Sequence, residues 1–217
     1  MRRPRLLLAD DHTLLLEGIR LMLEPEFELV GSVEDGQALL AAAKTLKPDV
    51  ILLDISMPVL NGIDAARRLR KILPSARLIF LTMHADPDYV AEAFRAGAMG
   101  YLLKRAAASE LLAAIRAVLK GHHYMSPLVT RNATKLLISP SKSGGKFSDR
   151  LTPRRREVLQ LVAEGRSRKE IAVILNISVK TVEFHKAALM RELNLQTTAD
   201  FTRYAIEHGI ITAERSS

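Results

Sequence analysis

Short apolar runs alternate along the first half of the chain with longer stretches whose apolar residues recur every three or four positions. Leu6-Leu7-Leu8-Ala9, Leu29-Val30, Val50-Ile51-Leu52-Leu53, Leu78-Ile79-Phe80-Leu81 and Tyr101-Leu102-Leu103 predict five buried strands. Amphipathic stretches near 14–24, 36–46, 62–72, 88–96 and 109–120 predict the helices that follow them, most bounded by Gly or Pro. Strand–helix alternation repeated in this way demands a parallel sheet covered by helices on both faces. The unbroken apolar character of the third and fourth strands fits burial on both sides. The expected fold is therefore a five-stranded, doubly wound, flavodoxin-like α/β domain.

After Gly121 the pattern changes. Ser126-Pro127 carries N-cap and first-turn chemistry, and Leu128 to Ile138 predicts a short connecting helix. Ser139-Pro140-Ser141-Lys142-Ser143-Gly144-Gly145-Lys146 is too polar to bury a core and is expected to be a linker. From Leu151 onward only helical periodicity remains. The division expected is a first domain over 1–123, a connector over 124–148 and a small all-α domain over 149–214.

Charge sharpens this division. Residues 1–123 hold 16 Lys and Arg against 15 Asp and Glu, whereas residues 124–217 hold 16 against 9, so nearly all of the net +8 lies in the helical part. A basic domain joined to a neutral one points to a polyanionic partner for the basic end. The absence of cysteine among the 217 residues excludes disulfides, thiol catalysis and sulfur-ligated zinc. No stretch reaches the apolar length of a membrane span, and Met1-Arg2-Arg3-Pro4 leads into too few apolar residues for a secretory signal. A cytoplasmic address without membrane association is expected.

Chemistry-bearing residues gather at the carboxyl ends of the predicted strands. Asp10 and Asp11 follow the first, Asp54 ends the third, Thr82 the fourth and Lys104 the fifth. In an open parallel sheet those ends form the binding crevice. Three carboxylates there repel one another unless a cation is present, and oxygen donors without His or Cys favour Mg²⁺. One carboxylate can then attack a phosphoryl group, with Thr82 donating a hydrogen bond to that group and Lys104 supplying positive charge.

Residues 1–123 resemble the receiver domain of bacterial two-component response regulators. The resemblance rests on Leu8-Ala9-Asp10-Asp11-His12, on Asp54-Ile55-Ser56-Met57-Pro58 with Asn61-Gly62, on Leu81-Thr82, and on Gly97-Ala98-Met99-Gly100-Tyr101-Leu102-Leu103-Lys104. It implies that Asp54 accepts phosphate from a sensor histidine kinase, assisted by Thr82 and Lys104. It also implies that Asp11, Asp54 and the Ser56 backbone carbonyl hold Mg²⁺, with Asp10 acting partly through water, and that Tyr101 turns inward as Thr82 is drawn to the phosphate. Such receivers commonly carry a proline after the strand-five lysine, joined by a cis bond. Arg105 stands there instead, which puts the reach of Lys104 in question. The resemblance places Ser56 and His84 beside the phosphate; His84, two residues beyond Thr82, reads as a solvated loop histidine, with influence on phosphate lifetime as the alternative.

In the basic domain, Thr152-Pro153 opens one helix and Gly165 ends it. Ser167-x-x-Glu170 is a capping box for a second helix, Asn176-Ile177 makes a tight turn, and Ser178 caps a third helix running to about Leu193. Helices joined this way form a helix-turn-helix whose last helix reads the major groove. Val182, Leu189 and Leu193 are expected to face the core, leaving Lys180, Glu183, Phe184, Ala187 and Arg191 on another face with Lys186 on its flank. With Thr181 these are the candidate DNA-binding residues. The basic ones suit phosphates, Glu183 a cytosine amino group, and Phe184 or Ala187 a thymine methyl. Few aromatics follow residue 123, which favours duplex DNA over single strands or RNA.

Leu151-Thr152-Pro153-Arg154, Glu157-Val158-Leu159, Ala163-Glu164-Gly165, Lys169-Glu170-Ile171-Ala172, Leu175-Asn176-Ile177-Ser178, Thr181-Val182 and His185 resemble the LuxR-type helix-turn-helix. Arg168 departs from it, standing where Asn is more usual. The two resemblances together point to the NarL/FixJ class, which implies a DNA-bound homodimer paired through the helix around Ala199 to His208, with RNA polymerase a further candidate partner. The reading is of a phosphorylation-switched transcriptional regulator and not an enzyme, beyond self-phosphorylation from a phosphodonor and slow autodephosphorylation. Two alternatives stand beside it. One is a phosphorylation-independent transcription factor controlled by protein partners. The other is a phosphohydrolase with an Asp nucleophile, against which Ser56 occupies the place of the usual second Asp.

Overall fold

The computed structural model describes residues 2–106, 108–131 and 151–211. These form two compact units, one built on the sheet and one helical. The rest of the expected connecting helix, the linker and the last residues of the helical domain lie outside the described residues.

In the first unit the strands are β1 (Arg5–Ala9), β2 (Glu28–Val33), β3 (Val50–Leu53), β4 (Arg77–Thr82), β5 (Ala98–Leu103) and β6 (Tyr124–Met125). The helices are α1 (Thr13–Leu23), α2 (Gly36–Leu46), α3 (Gly62–Ile72), α4 (Pro87–Arg95) and α5 (Ala108–Leu119), followed by α6, described over 127–131. The doubly wound α/β fold is as expected, but the sheet has six strands and not five. The sixth comes from residues assigned to the connector. Tyr124 and Met125 pair parallel with Gly100 and Tyr101, and Ser126 N–H donates to the Tyr101 carbonyl at 2.9 Å. Two residues are too few to show an alternating period, so only the free edge of β5 reveals this strand.

The strand order is β2-β1-β3-β4-β5-β6, all parallel. Side chains alternate across it. Leu6, Leu8, Leu52, Ile79 and Leu102 join a core with Ile19 of α1 and Ile115 of α5. Leu7, Ile51, Leu53 and Phe80 are buried on the opposite face. Burial of each such side chain contributes about 1.5–3 kcal/mol, which is why the near-continuous apolar runs form the central strands. The chain steps from β1 outward to β2 and then back across β1 to β3. That reversal opens a crevice beyond the carboxyl ends of β1 and β3. Ala9 pairs with Leu53, so Asp10 and Asp54 emerge side by side into it.

In the second unit, α7 (Pro153–Ala163), α8 (Arg168–Leu175), α9 (Val179–Leu193) and α10 (Thr198–Glu207) enclose a core that includes Val158, Leu161, Ile171, Val182, Leu189 and Phe201. The predicted caps are all present: Thr152 on Arg155 N–H, Ser178 on Thr181 N–H, and Ser167 with Glu170 as a reciprocal box. Asn176 adopts the left-handed conformation (φ 51°) that ends α8 and sets the turn into α9. Helices α8, α9 and α10 all pack on α7. Its burial therefore runs around the helix, taking in Glu157, Val158, Leu159 and Leu161.

Candidate functional site

The crevice is closed by one cation. Lys104 Nζ donates to Asp54 Oδ2 at 2.9 Å and lies 2.8 Å from Asp10 Oδ2, with all three side chains buried. Its position follows from the sheet: Thr82 pairs with Leu103, and Lys104 N–H donates to the Thr82 carbonyl at 2.8 Å. No peptide bond among the described residues is cis. The Lys104–Arg105 bond is therefore trans, and the lysine still reaches both carboxylates. The doubt raised by the missing proline is resolved by β4–β5 pairing, which directs the lysine stem into the crevice.

Asp54 is held at both oxygens. Oδ1 accepts from Ile55 N–H at 2.7 Å while Oδ2 accepts from Lys104. The following turn brings Gly62 N–H to the Ile55 carbonyl at 2.8 Å, and a Cβ on Gly62 would lie 1.9 Å from the Asp54 carbonyl oxygen. Only glycine fits so close a backbone approach. Gly62→Ala is accordingly expected to displace the loop carrying Asp54 and to cost about 1–3 kcal/mol, as overpacking does. Urea unfolding compared with the native chain measures it, and an unchanged midpoint would contradict the tight fit.

Asp10, Asp11, His12 and Asp54 each offer one ligand atom within 4.8 Å of the others. His12 Nδ1 lies 2.9 Å from Asp10 Oδ1 and 3.2 Å from Asp11 Oδ1. His12, which directly follows Asp10-Asp11 in the chain, adds an imidazole nitrogen that the expected oxygen-donor set does not include. The carboxylates suit a hard divalent cation such as Mg²⁺, and the imidazole nitrogen broadens the set toward other divalent ions.

Thr82 is fully buried, and its Oγ1 accepts from His84 N–H at 3.4 Å. His84 is not a solvated loop residue. Its Nε2 lies 2.8 Å from Ser56 Oγ, and its ring stacks on Tyr89 at 4.2 Å. Burial lowers its basicity most, with Asp54 and Asp86 acting in the opposite direction. Tyr101 is wholly buried, and its hydroxyl donates to the His84 carbonyl at 2.8 Å. Burial raises its phenol well above the ordinary range. Thus Ser56, Thr82, His84 and Tyr101 form one connected wall, which no sequence spacing could show.

On α9, Lys180, Glu183, Ala187 and Arg191 are exposed, as is Phe184 at 64%. Val182 and Leu189 are buried, and Leu193 is half-buried against the same core. Lys186 is half-buried, its Nζ 5.7 Å from the centroid of the Phe201 ring. Thr181 lies in the cap, with Oγ1 2.8 Å from Ser178 Oγ. Other cations of the basic unit are committed internally. Arg154 donates to Glu157 at 2.9 Å and to the Leu175 carbonyl at 2.7 Å, and Arg155 to Glu192 at 2.5 Å. These arginines brace α7 against its neighbours, so the raw charge overstates what is free for a polyanion. Burial, then Arg154 and Arg155, lower the basicity of His185.

The family described as response regulator receiver domain matches residues 6–116, and the one described as bacterial regulatory proteins, luxR family, matches residues 149–205. The chain belongs to the LuxR-type response regulators. This response regulator is 40% identical over 210 residues to Transcriptional regulatory protein MctR of Rhizobium johnstonii, covering 96% of this chain and 95% of that one. Among solved structures it is similar to the RcsB response regulator of Salmonella typhimurium, with a TM-score of 0.60, 32% identity, and coverage of 94% and 98%. A structure described as the two-component response regulator RcsB–DNA complex matches at a TM-score of 0.59 and 31% identity, over 95% of this chain and 99% of that one. Among the described residues of the response regulator, no helix is long and apolar enough to cross a membrane.

Proposed function

We propose that phosphorylation of Asp54 switches this response regulator, and that its helical unit then binds duplex DNA as a homodimer to control transcription. The observation that carries the reading is Lys104 bridging Asp54 and Asp10 at the crevice of the sheet. Asp54 is the nucleophile: one of its oxygens bonds to phosphorus as the bond to the leaving group of a sensor histidine kinase, or of a small phosphodonor, breaks. Ile55 N–H and Lys104 orient the carboxylate, and Lys104 then compensates charge on the transferred group. Thr82 donates its hydroxyl to a phosphoryl oxygen, and the rearrangement passes to Tyr101 through the His84 segment that both residues touch. Asp11, Asp54 and the Ser56 carbonyl, together with Asp10, would hold Mg²⁺, which would further neutralise the phosphoryl oxygens.

For DNA, support comes from the exposed face of α9 and from the likeness to the RcsB–DNA complex. Lys180, Lys186 and Arg191 bind phosphates in this reading, while Thr181, Glu183, Phe184 and Ala187 approach base edges. Residues around Ala199 to His208, on and just after α10, pair the two copies, and RNA polymerase is the downstream partner. A small phosphodonor with Mg²⁺ is expected to raise affinity for a selected duplex about tenfold or more through dimerisation. The logarithm of affinity should fall linearly with that of salt, with a slope reflecting about four to eight phosphate contacts. Equal affinity with and without the phosphodonor would instead favour control by protein partners.

A further inference from the structure

Glu183 is anomalous on a face that meets a polyanion. It sits between Lys180 and Arg191 on the exposed side of α9, where a lone carboxylate is repelled by phosphates on either wall of a groove. The structure supplies its counter-charge from another helix. Arg168, the first residue of α8, donates from Nη1 to Glu183 Oε1 at 2.7 Å, and both side chains are largely exposed. This pair differs from Arg154 with Glu157 and Arg155 with Glu192, whose arginines brace the central helix. It is the bridge that runs from the start of α8 onto the exposed side of α9.

Resting on the reading of α9 as the groove helix, we propose that Arg168 is a positioning residue for base recognition. Its guanidinium fixes the Glu183 carboxylate and cancels its charge, so that the second oxygen accepts a hydrogen bond from a cytosine amino group. A guanidinium carries five N–H donors in a rigid fork, and one serves Glu183, so others reach a neighbouring phosphate at the same time. Sequence readout at one base pair therefore depends on a side chain outside the recognition helix.

The test is selection of duplexes from a random pool by the full-length chain treated with a small phosphodonor and Mg²⁺. The native chain is compared with Arg168→Ala, Arg168→Lys, Glu183→Gln and the Arg168→Ala/Glu183→Gln double variant. Glu183→Gln is expected to lose about tenfold discrimination for cytosine at one position of each half-site. Arg168→Ala should lose it at that same position, the double variant should lose no more than either alone, and Arg168→Lys should recover part of it. Because the pair is exposed, each variant should melt as the native chain does. A uniform fall in affinity with the preference intact would make Arg168 a phosphate contact only and overturn the proposal, as would unchanged binding. Glu183→Gln binding DNA with every preference retained would remove the base contact on which it rests. No sequence-selective DNA binding by the native chain would remove the groove reading itself.

Discussion

Asp54→Asn is expected to abolish labelling of the chain by a small phosphodonor in the presence of Mg²⁺. The amide is nearly the same shape, so the loop should persist: its oxygen can still accept from Ile55 N–H, as Asp54 Oδ1 does at 2.7 Å. What disappears is the anionic oxygen that faces Lys104 at 2.9 Å. An amide group is no nucleophile toward phosphorus at neutral pH, and its NH₂ set against an ammonium makes a donor face a donor. Lys104 then keeps its contacts with Asp10 and with His12 Nδ1, the latter at 3.3 Å. The native label should behave as an acyl phosphate and be released by hydroxylamine, while the variant should carry none and still unfold cooperatively. Persistence of label in Asp54→Asn would move the acceptor elsewhere and undo the switch proposed above.

Arg67→Ala is expected to destabilise the first unit strongly. Arg67 on α3 donates to Asp64 Oδ1 at 2.8 Å and pairs with Glu92 on α4, and both carboxylates are buried. Glu92 also pairs with Arg95, and Asp64 accepts from Asn61 Nδ2 at 3.0 Å. Asn61 in turn caps α3 by accepting from Asp64 N–H. Removing the central guanidinium weakens the compensation of two buried carboxylates, and breaking a buried pair costs about 3–5 kcal/mol. The remaining partner Arg95 places the loss at the lower end, about 3 kcal/mol. Urea unfolding should show the shift, and Arg67→Ala combined with Glu92→Gln should recover part of it, because one under-compensated buried charge is gone. A loss below about 1 kcal/mol would mean that water already solvates these carboxylates, as at an exposed pair.

The network also marks where sequence reading stopped. Asp64, Arg67 and Glu92 read as ordinary polar positions of amphipathic helices, since spacing assigns faces within one helix and cannot say that two helices bring opposite charges together. His84 shows the same gap. A polar residue just past a strand reads as loop, yet stacking on Tyr89 and proximity to Ser56 take it out of solvent. That His12 turns its ring toward Asp10 and Asp11 is a property of the turn into α1, which spacing does not show. Arg168 stands out as a departure in the sequence, but its partner lies 15 residues away on another helix.

Other features needed no coordinates. The five apolar runs, the capping box at Ser167 and Glu170, and the acidic and basic residues at strand ends are local signals. Local propensity and the obligation to bury apolar surface give each of them one outcome. From these the chain itself determined an α/β sheet followed by a helix-turn-helix, and the crevice edge on which Asp10, Asp54, Thr82 and Lys104 must meet. Tertiary structure alone decided that Lys104 reaches both aspartates through a trans peptide, that a sixth strand closes the edge of β5, and that Arg168 answers Glu183. Each of those outcomes depends on a distance between segments remote along the chain, which a linear pattern does not contain.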